Sequence, residues 1–524
     1  MNTRPPDPPP ALRVGLLGAA YAAAIECALV RLGRIARDRD AATVLRLLRV
    51  VLPGSISRPD LGGWQTHWVS RVALPEAAGL LSLDGAAAFL PGAEDGAAAC
   101  VVRNCDLLVI AGDARSPALD APVRQALQLG VPLLWLADDG TVQLLTDRGW
   151  RVSLQAAPAG EAAWTALERI VRAMLDDLPD TAAFDATLLE ANVPPHWLWQ
   201  SHRWVMNVLN RAPAQPDGSP APPDYWRLLY DCADRLAGAY ADRYRSAYTL
   251  VLALAAMALA AAVLGLGHDA RGEPLLRPAW TAVPEALCLA GIIGLVRASS
   301  RHRWQSRMIA CRTLAELCRK QAALSLVARS LPAAGIAPLT QEGDLGWVGR
   351  RFAAAVRAAP FLEGTLAGAR LGDARDAASA ILLQGQRAYH AARAAAGRKR
   401  EDRLVWLGSA AFTVTVVCVV IKLALLVAGS ERAETFGLVA ALLPAFAAAF
   451  FGLRAYAELE LMVRHSKRML GVIKAAAARL ARIDVGQPEA GGHVGSVLEE
   501  TAVTMLADVE GWIQISRVKT VEAG

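Results

Sequence analysis

The chain has 524 residues, 54% of them hydrophobic and 20% charged, with 55 Lys and Arg against 49 Asp and Glu for a net charge of +6; its mean hydropathy is +0.29. With its 42 glycines added, the apolar share exceeds the roughly 45–50% of an ordinary soluble protein. A disordered chain, a coiled-coil rod and a wholly soluble enzyme are excluded, and part of the chain is expected to lie in a membrane.

Residues 1–10 are rich in proline and are expected to be disordered. Residues 11–205 alternate strand-like and helix-like segments, as in a cytoplasmic Rossmann-like α/β domain. The apolar run Leu12–Leu32 holds Glu26 and lacks a strongly basic start, so it reads as a strand, Arg13–Leu17, and a helix, Tyr21–Arg37, and not as a signal peptide. The clearest unit begins with the strand Asp106–Ile110. Ser116 and Pro117 then suit the N-cap and first position of a helix, Gly130 suits its end, and Val131–Leu136 forms the next strand.

Ligands of open α/β sheets bind beyond the carboxyl ends of strands. The turn Gly15–Gly18 and the loop Gly112–Ser116 fall at two such ends, making Gly15, Gly18, Gly112, Asp113, Arg115 and Ser116 a candidate site for a nucleotide-like ligand. Glycine allows close backbone approach, Arg115 suits a phosphate and a helix N-terminus adds its amides. The plainer alternative is that the turns simply need glycine. No complete Gly-x-Gly-x-x-Gly, no P-loop and no catalytic set is present. Two aromatic clusters, Trp64/His67/Trp68 and His196/Trp197/Trp199/His202/Trp204, read as core or membrane-proximal packing. Residues 206–226 form a Pro-rich linker.

Four apolar runs follow: Ala247–Leu266, Ala279–Val296, Leu404–Ala428 and Phe436–Leu453, of 20, 18, 25 and 18 residues. About 20 helical residues cross a bilayer core. Short connections make two hairpins, within the regions 227–330 and 404–453. Arginines crowd one end of every run: Arg243 and Arg245 before the first, Arg297 and Arg301 after the second, Arg398–Arg403 before the third and Arg454 after the fourth. The positive-inside rule puts both termini and the middle region, 331–403, which reads as helical, in the cytoplasm. This collar, and not nucleic acid, accounts for the net charge, since no basic-aromatic module or zinc-finger spacing occurs.

After the second run, Trp304, Met308, Cys311, Ala315, Cys318 and Ala322 step by four and three. Leu459, Met462, Met469, Ile473, Ala476 and Leu480 do the same after the fourth. Both hairpins are therefore expected to continue as amphipathic cytoplasmic helices, packing within the chain or across subunits; helices in 454–524 complete this layer. Glu285 and Lys422 each lie six residues inside the outer end of a run, about 9 Å deep at 1.5 Å per residue. A lone charge at that depth costs energy, so the two are expected to pair within or between subunits; snorkelling of Lys422 is the alternative. The cysteines show neither Cys-x-x-Cys nor His/Cys metal spacing, so reduced thiols and no metal are expected.

The stretch Tyr240-Ala241-Asp242-Arg243-Tyr244-Arg245-Ser246-Ala247-Tyr248 leading into a span, followed by a second span, Arg303-Trp304 and Arg312-Thr313-Leu314-Ala315-Glu316-Leu317, resembles the SLATT membrane family over about residues 235–330. The resemblance implies a bacterial inner-membrane effector of conflict or anti-phage defence systems, oligomeric and pore-forming, with Arg243, Tyr244, Arg245, Trp304, Arg312 and Glu316 as its juxtamembrane motif. The N-terminal domain is similar to the SLOG/TIR-like Rossmannoid sensors that accompany such modules. It departs from them in reading Ser116-Pro117-Ala118-Leu119-Asp120 where they carry Gly-Gly-Thr, and Gly18-Ala19-Ala20 in place of Gly-His-Arg.

The expected function is a membrane sensor–effector, triggered by a nucleotide second messenger or a protein, with membrane lipid and further copies of itself as partners. Two alternatives remain: a membrane-tethered nucleotide or nucleoside hydrolase relying on Asp113, and a non-conducting scaffold or transporter-like protein.

Overall fold

Residues 11–17 read Ala-Leu-Arg-Val-Gly-Leu-Leu and all seven are buried, as a strand covered on both faces requires. In the computed structural model this is β1 (Ala11–Leu17). The structure describes residues 5, 7–17, 22–50, 64–70, 80–83, 96–112, 117–137, 141–146, 158–176, 184–188, 197–210, 223–266, 278–332, 336, 339–340, 345–430, 432–457, 459–487 and 489–518. The chain continues with α1 (Ala22–Arg39), β2 (Val44–Val50), β3 (Trp64–Ser70), β4 (Leu80–Leu83), α2 (Gly96–Asn104), β5 (Leu107–Ala111), α3 (Pro117–Gln128), β6 (Leu133–Leu136), β7 (Val142–Leu145) and α4 (Glu161–Asp176). The N-terminal part is an α/β sheet, as expected, whose order is β7-β6-β5-β1-β2-β3-β4-β8, parallel except for β6 against β7.

The edge strand β8 (Gly364–Leu366) comes from beyond the first membrane hairpin and pairs in parallel with β4. The middle region, read as helical, thus also completes the sheet. The Pro-rich start is partly placed as well: Arg351 Nη1 donates to Asp7 Oδ1 at 3.1 Å, and the Pro10 carbonyl accepts from Val44 N at 2.8 Å.

Alternation along the strands sends side chains to two cores. Leu107 and Val109 pack with α1 and α4, through Leu29, Leu32, Leu167 and Val171. Leu108 and Ile110 face the other way, into a core that runs through α2 and α3 into the helical half of the protein. Gly15 marks the closest approach on that side. A Cβ there would lie 2.8 Å from Val101 Cγ1 of α2 and 2.9 Å from Cys105 Sγ. Gly15→Ala is therefore expected to destabilise the protein by about 1–3 kcal/mol, the usual range for overpacking, read as a lowered midpoint in thermal unfolding of the detergent-solubilised chain.

The helical half contains α5 (Ser201–Asn210), α6 (Asp224–Gly265), α7 (Pro278–His302), α8 (Trp304–Ser325), α9 (Gly346–Ala358), α10 (Gly368–Ser379), a π turn (Ala380–Gln384), α11 (Gly385–Val427), α12 (Ala433–Tyr456), α13 (Leu459–Ala481) and α14 (Ala490–Val518). Helix α5 occupies the beginning of the stretch read as linker, and 211–222 lies outside the described residues. Four helices, α6, α7, α11 and α12, contain windows long and apolar enough to cross a membrane.

These four stand in a row, α7–α6–α12–α11, each packed on the next. Small residues set the contacts: a Cβ on Gly265 would lie 2.6 Å from Thr281 Oγ1, one on Gly452 3.2 Å from Leu252 Cδ2, and one on Gly408 2.7 Å from Phe451 Cζ. Tyr456 of α12 meets Tyr248 of α6 with ring centroids 3.9 Å apart, while Gly452 meets Leu252 one turn further along. The two helices therefore run antiparallel, and both hairpin tips point away from the sheet.

Candidate functional site: the switch point and the joint with the membrane helices

From β1 the chain builds the sheet outward through β2, β3 and β4, then crosses back to place β5, β6 and β7 on the other side. Strand order thus reverses between β1 and β5, the position at which open α/β sheets bind ligands beyond their carboxyl ends. Leu17 of β1 is in register with Ile110 of β5, so the carboxyl ends of the two strands lie side by side. Gly112 has φ +136°, a conformation that favours glycine. Its N–H donates to the Leu136 carbonyl at 3.1 Å, and its carbonyl accepts from Trp135 Nε1 at 3.1 Å. Gly15 lies inside the sheet, where its role is packing. Gly18, Asp113, Arg115 and Ser116 lie outside the described residues.

On the helical side of the sheet, α2 ends in a buried asparagine. Asn104 Nδ2 donates to the Cys100 carbonyl at 2.8 Å and to the Ala328 carbonyl at 2.9 Å. Its Oδ1 accepts from Ser330 Oγ at 2.8 Å. Ala328 belongs to the turn that ends α8 and has φ +54°. Gln321, one turn back on α8, accepts from Leu331 N at 2.9 Å through Oε1. Sequence reasoning did not single out Asn104, Gln321 or Ser330, because short polar residues at helix ends resemble ordinary caps.

A second contact ties the sheet to α9. Arg13 and Arg46 are in register on β1 and β2. Arg13 Nε donates to the Arg357 carbonyl at 3.0 Å, and its Nη2 donates to the Ala359 carbonyl. Arg46 Nη1 donates to the same carbonyls at 3.0 and 2.6 Å. Two guanidiniums thus satisfy the carbonyls and negative dipole end at the close of α9. Burial pushes Arg13 down to about 10, with Asp106 opposing that shift. Arg13→Leu leaves Arg46 on both carbonyls and is expected to cost about 1.5–3 kcal/mol, the range for hydrogen bonds to charged groups. Thermal unfolding checks this, with a larger loss for Arg13→Leu/Arg46→Leu. A cavity of about 20 Å³ lies between this contact and the Asn104 contact, lined in part by Arg13, Asn104, Gln321 and Ser330; it has room for a single water.

Helix α8 follows α7 through one left-handed residue, Arg303, with φ 51°. Its expected stripe, Trp304 to Ala322, is buried within the chain, and so is the rest of the helix from Met308 to Leu324 apart from Arg312. The helix packs on α6, α9, α10 and α14. That burial includes Glu316, Arg319 and Lys320, exposed by 6%, 3% and 1%. Glu316 Oε2 pairs with Lys320 Nζ at 2.7 Å and with Arg319. Glu316 Oε1 pairs with Arg312 Nη2 at 2.8 Å, and Arg312 Nη1 reaches Asp234 of α6 at 2.8 Å. Burial would raise the Glu316 carboxyl, but Arg319, Lys320 and Arg312 outweigh it and hold the group well below the usual carboxylate range. Burial pushes the Lys320 ammonium down to about 8 against the pull of Glu316.

Of the motif residues, Arg312 and Glu316 therefore meet in one buried cluster. Tyr244 joins Tyr248 and Tyr456 between the hairpins, its hydroxyl 3.1 Å from that of Tyr456. Arg243 lies over the Tyr240 ring at 5.6 Å. Trp304 meets Trp199 edge-on at 4.9 Å, and Arg245 is exposed. Glu285 and Lys422 are not brought together within one chain. They sit on α7 and α11, the two ends of the row, and each is half-buried. Lys422 lies along Gly437 of α12, where an added Cβ would meet its Nζ at 3.0 Å.

Among the described residues, no group of His, Cys, Asp and Glu is arranged to hold a metal ion. The likeness to SLATT proteins rests on the sequence motifs and the order of the spans. Comparison with protein families, with curated proteins and with solved structures returns no match.

Proposed function

We propose that the chain is a membrane sensor–effector. Its α/β sheet receives a nucleotide-like or protein trigger at the β1–β5 switch point and controls a four-span module in a bacterial inner membrane, with both termini in the cytoplasm. Several copies assemble and permeabilise that membrane, in the manner the SLATT resemblance implies for conflict-system effectors.

The observation that carries this reading is the position of α8. One end continues the membrane helix α7 through a single residue, and the other end is hydrogen-bonded to α2, which packs on β1, β2 and β3. A ligand that prefers one placement of α2 over another shifts the placement of α8 by its difference in affinity for the two. The row of spans adds support, because α7 and α11 leave most of their apolar surface free for lipid or a neighbouring copy.

The test is induction of the full chain in a bacterial host, with uptake of an impermeant DNA dye as readout. Dye uptake is expected, and it is expected to vanish when the hairpin 247–296 is replaced by an unrelated membrane hairpin. An intact barrier in cells whose membranes hold the full chain at high level would overturn the pore reading.

A further inference from the structure

Helix α5 leaves large apolar side chains uncovered outside the four spans. Trp197 in the 3-10 turn before it (Trp197–Gln200) is 72% exposed, Trp204 68% and Val208 56%. Trp204 and Val208 stand one turn apart on one stripe, whereas Met206 and Leu209 are buried against the protein.

The depth of α5 is set at both ends. At its start, His202 N donates to Ser246 Oγ at 3.3 Å, and His202 Nδ1 lies 2.8 Å from Thr249 Oγ1. Thr249 is the third residue of the first apolar run. At its end, Arg403 donates to the Leu209 carbonyl. Arg403 immediately precedes the third run, to which Trp406, also 68% exposed, belongs. Helix α5 therefore crosses from α6 to α11 at the level where both enter the apolar zone, lying across the spans and not along them. Its free stripe adjoins the exposed face of α11. Burial, with Arg245 and Arg400 nearby, pushes His202 down to about 3, so the imidazole brings no charge to this level.

We infer that α5 and the turn before it form an interfacial helix whose occupant is the bilayer, with Trp197, Trp204 and Val208 seated in the headgroup layer on the side opposite the hairpin tips. Tryptophan favours this boundary, where its ring is apolar and its N–H stays wet. An amphipathic helix there gains by burying its apolar face among the upper acyl chains. Such a helix ties the two hairpins to one lipid surface and fixes the height of the α/β sheet above it.

The test uses the full chain carrying Cys27→Ser, with Trp204→Cys labelled with bimane and reconstituted at one copy per nanodisc of phosphatidylcholine and phosphatidylglycerol. The signal of the Cys27→Ser chain labelled in the same way is subtracted. Lipid spin-labelled near its headgroup is expected to remove most of the bimane emission, and aqueous iodide little of it. Leu228→Cys, on the exposed part of α6 away from the spans, is expected to show the reverse. Val208→Cys gives the same reading if the first variant does not fold. Iodide quenching without lipid quenching would overturn the inference. So would iodide access in single-copy nanodiscs that is lost in vesicles holding many copies, because the face then belongs to a neighbouring copy.

Discussion

Glu316→Ala is expected to destabilise the protein by about 3–5 kcal/mol, the cost of leaving a buried charge without its partner. Three cations converge on this carboxylate. Of these, Arg319 and Lys320 are exposed by only 3% and 1%, so water cannot replace what the carboxylate supplies. Arg312 retains Asp234, which makes Arg319 and Lys320 the groups stranded by the substitution. Glu316→Gln preserves shape but not charge and is expected to lose nearly as much. Glu316→Leu/Lys320→Met removes both sides of the Glu316–Lys320 pair and is expected to recover part of the loss, since ion pairs buried at this depth gain little over well-packed apolar residues.

The pH dependence has a definite sign. The folded-state Glu316 carboxyl titrates below its unfolded value of about 4.3, so its stabilisation is fully present above that value and is lost as pH falls through the folded one. Unfolding midpoints of the parent chain are expected to drop on acidification below about pH 4, and those of Glu316→Gln to drop less. A Glu316→Ala chain with the parent's midpoint would show that the cluster is hydrated and not buried.

The second large effect is expected at Asn104. Its side chain serves α2 through the Cys100 carbonyl and α8 through the Ala328 carbonyl and the Ser330 hydroxyl. Asn104→Ala leaves the Ser330 hydroxyl proton without its acceptor and the Ala328 carbonyl with only the weak Cys100 thiol contact at 3.7 Å, at about 1–3 kcal/mol for a buried group left unsatisfied. Asn104→Asp still accepts from Ser330 but cannot donate to the Ala328 carbonyl, and it sets a buried charge against that oxygen. It is expected to be at least as harmful as alanine. Calorimetry of the detergent-solubilised chain checks both.

The parts that were legible in the sequence follow from one-dimensional signals. An apolar run the length of a bilayer is unmistakable, and all four runs lie in helices. The unit from β5 to β6 was legible because caps, glycine and proline punctuate it. Strand β8 was not, because three residues, Gly364–Leu366, carry no periodicity; their place in the sheet is decided by β4, far away in the chain. The heptad stripe on α8 identified one buried face correctly, but Glu316, Arg319 and Lys320 resembled a solvated face. Only the surrounding helices, contributed by distant parts of the chain, close over them. Gly15 stood out as a glycine, yet its reason is the closeness of Val101 and Cys105 across the core, which spacing cannot reveal. The link between Arg13, Arg46 and the end of α9 joins residues more than three hundred positions apart and has no local signature.

Coupling between the sheet and the membrane helices is open to hydrogen exchange of the full chain in nanodiscs, followed by mass spectrometry and compared between the parent and Asn104→Ala. If α8 transmits what happens at α2, protection is expected to fall in the turn 326–332 and also across 299–308, where α7 passes into α8. Loss confined to 326–332, with 299–308 exchanging as in the parent, would contradict control of the membrane module through this helix.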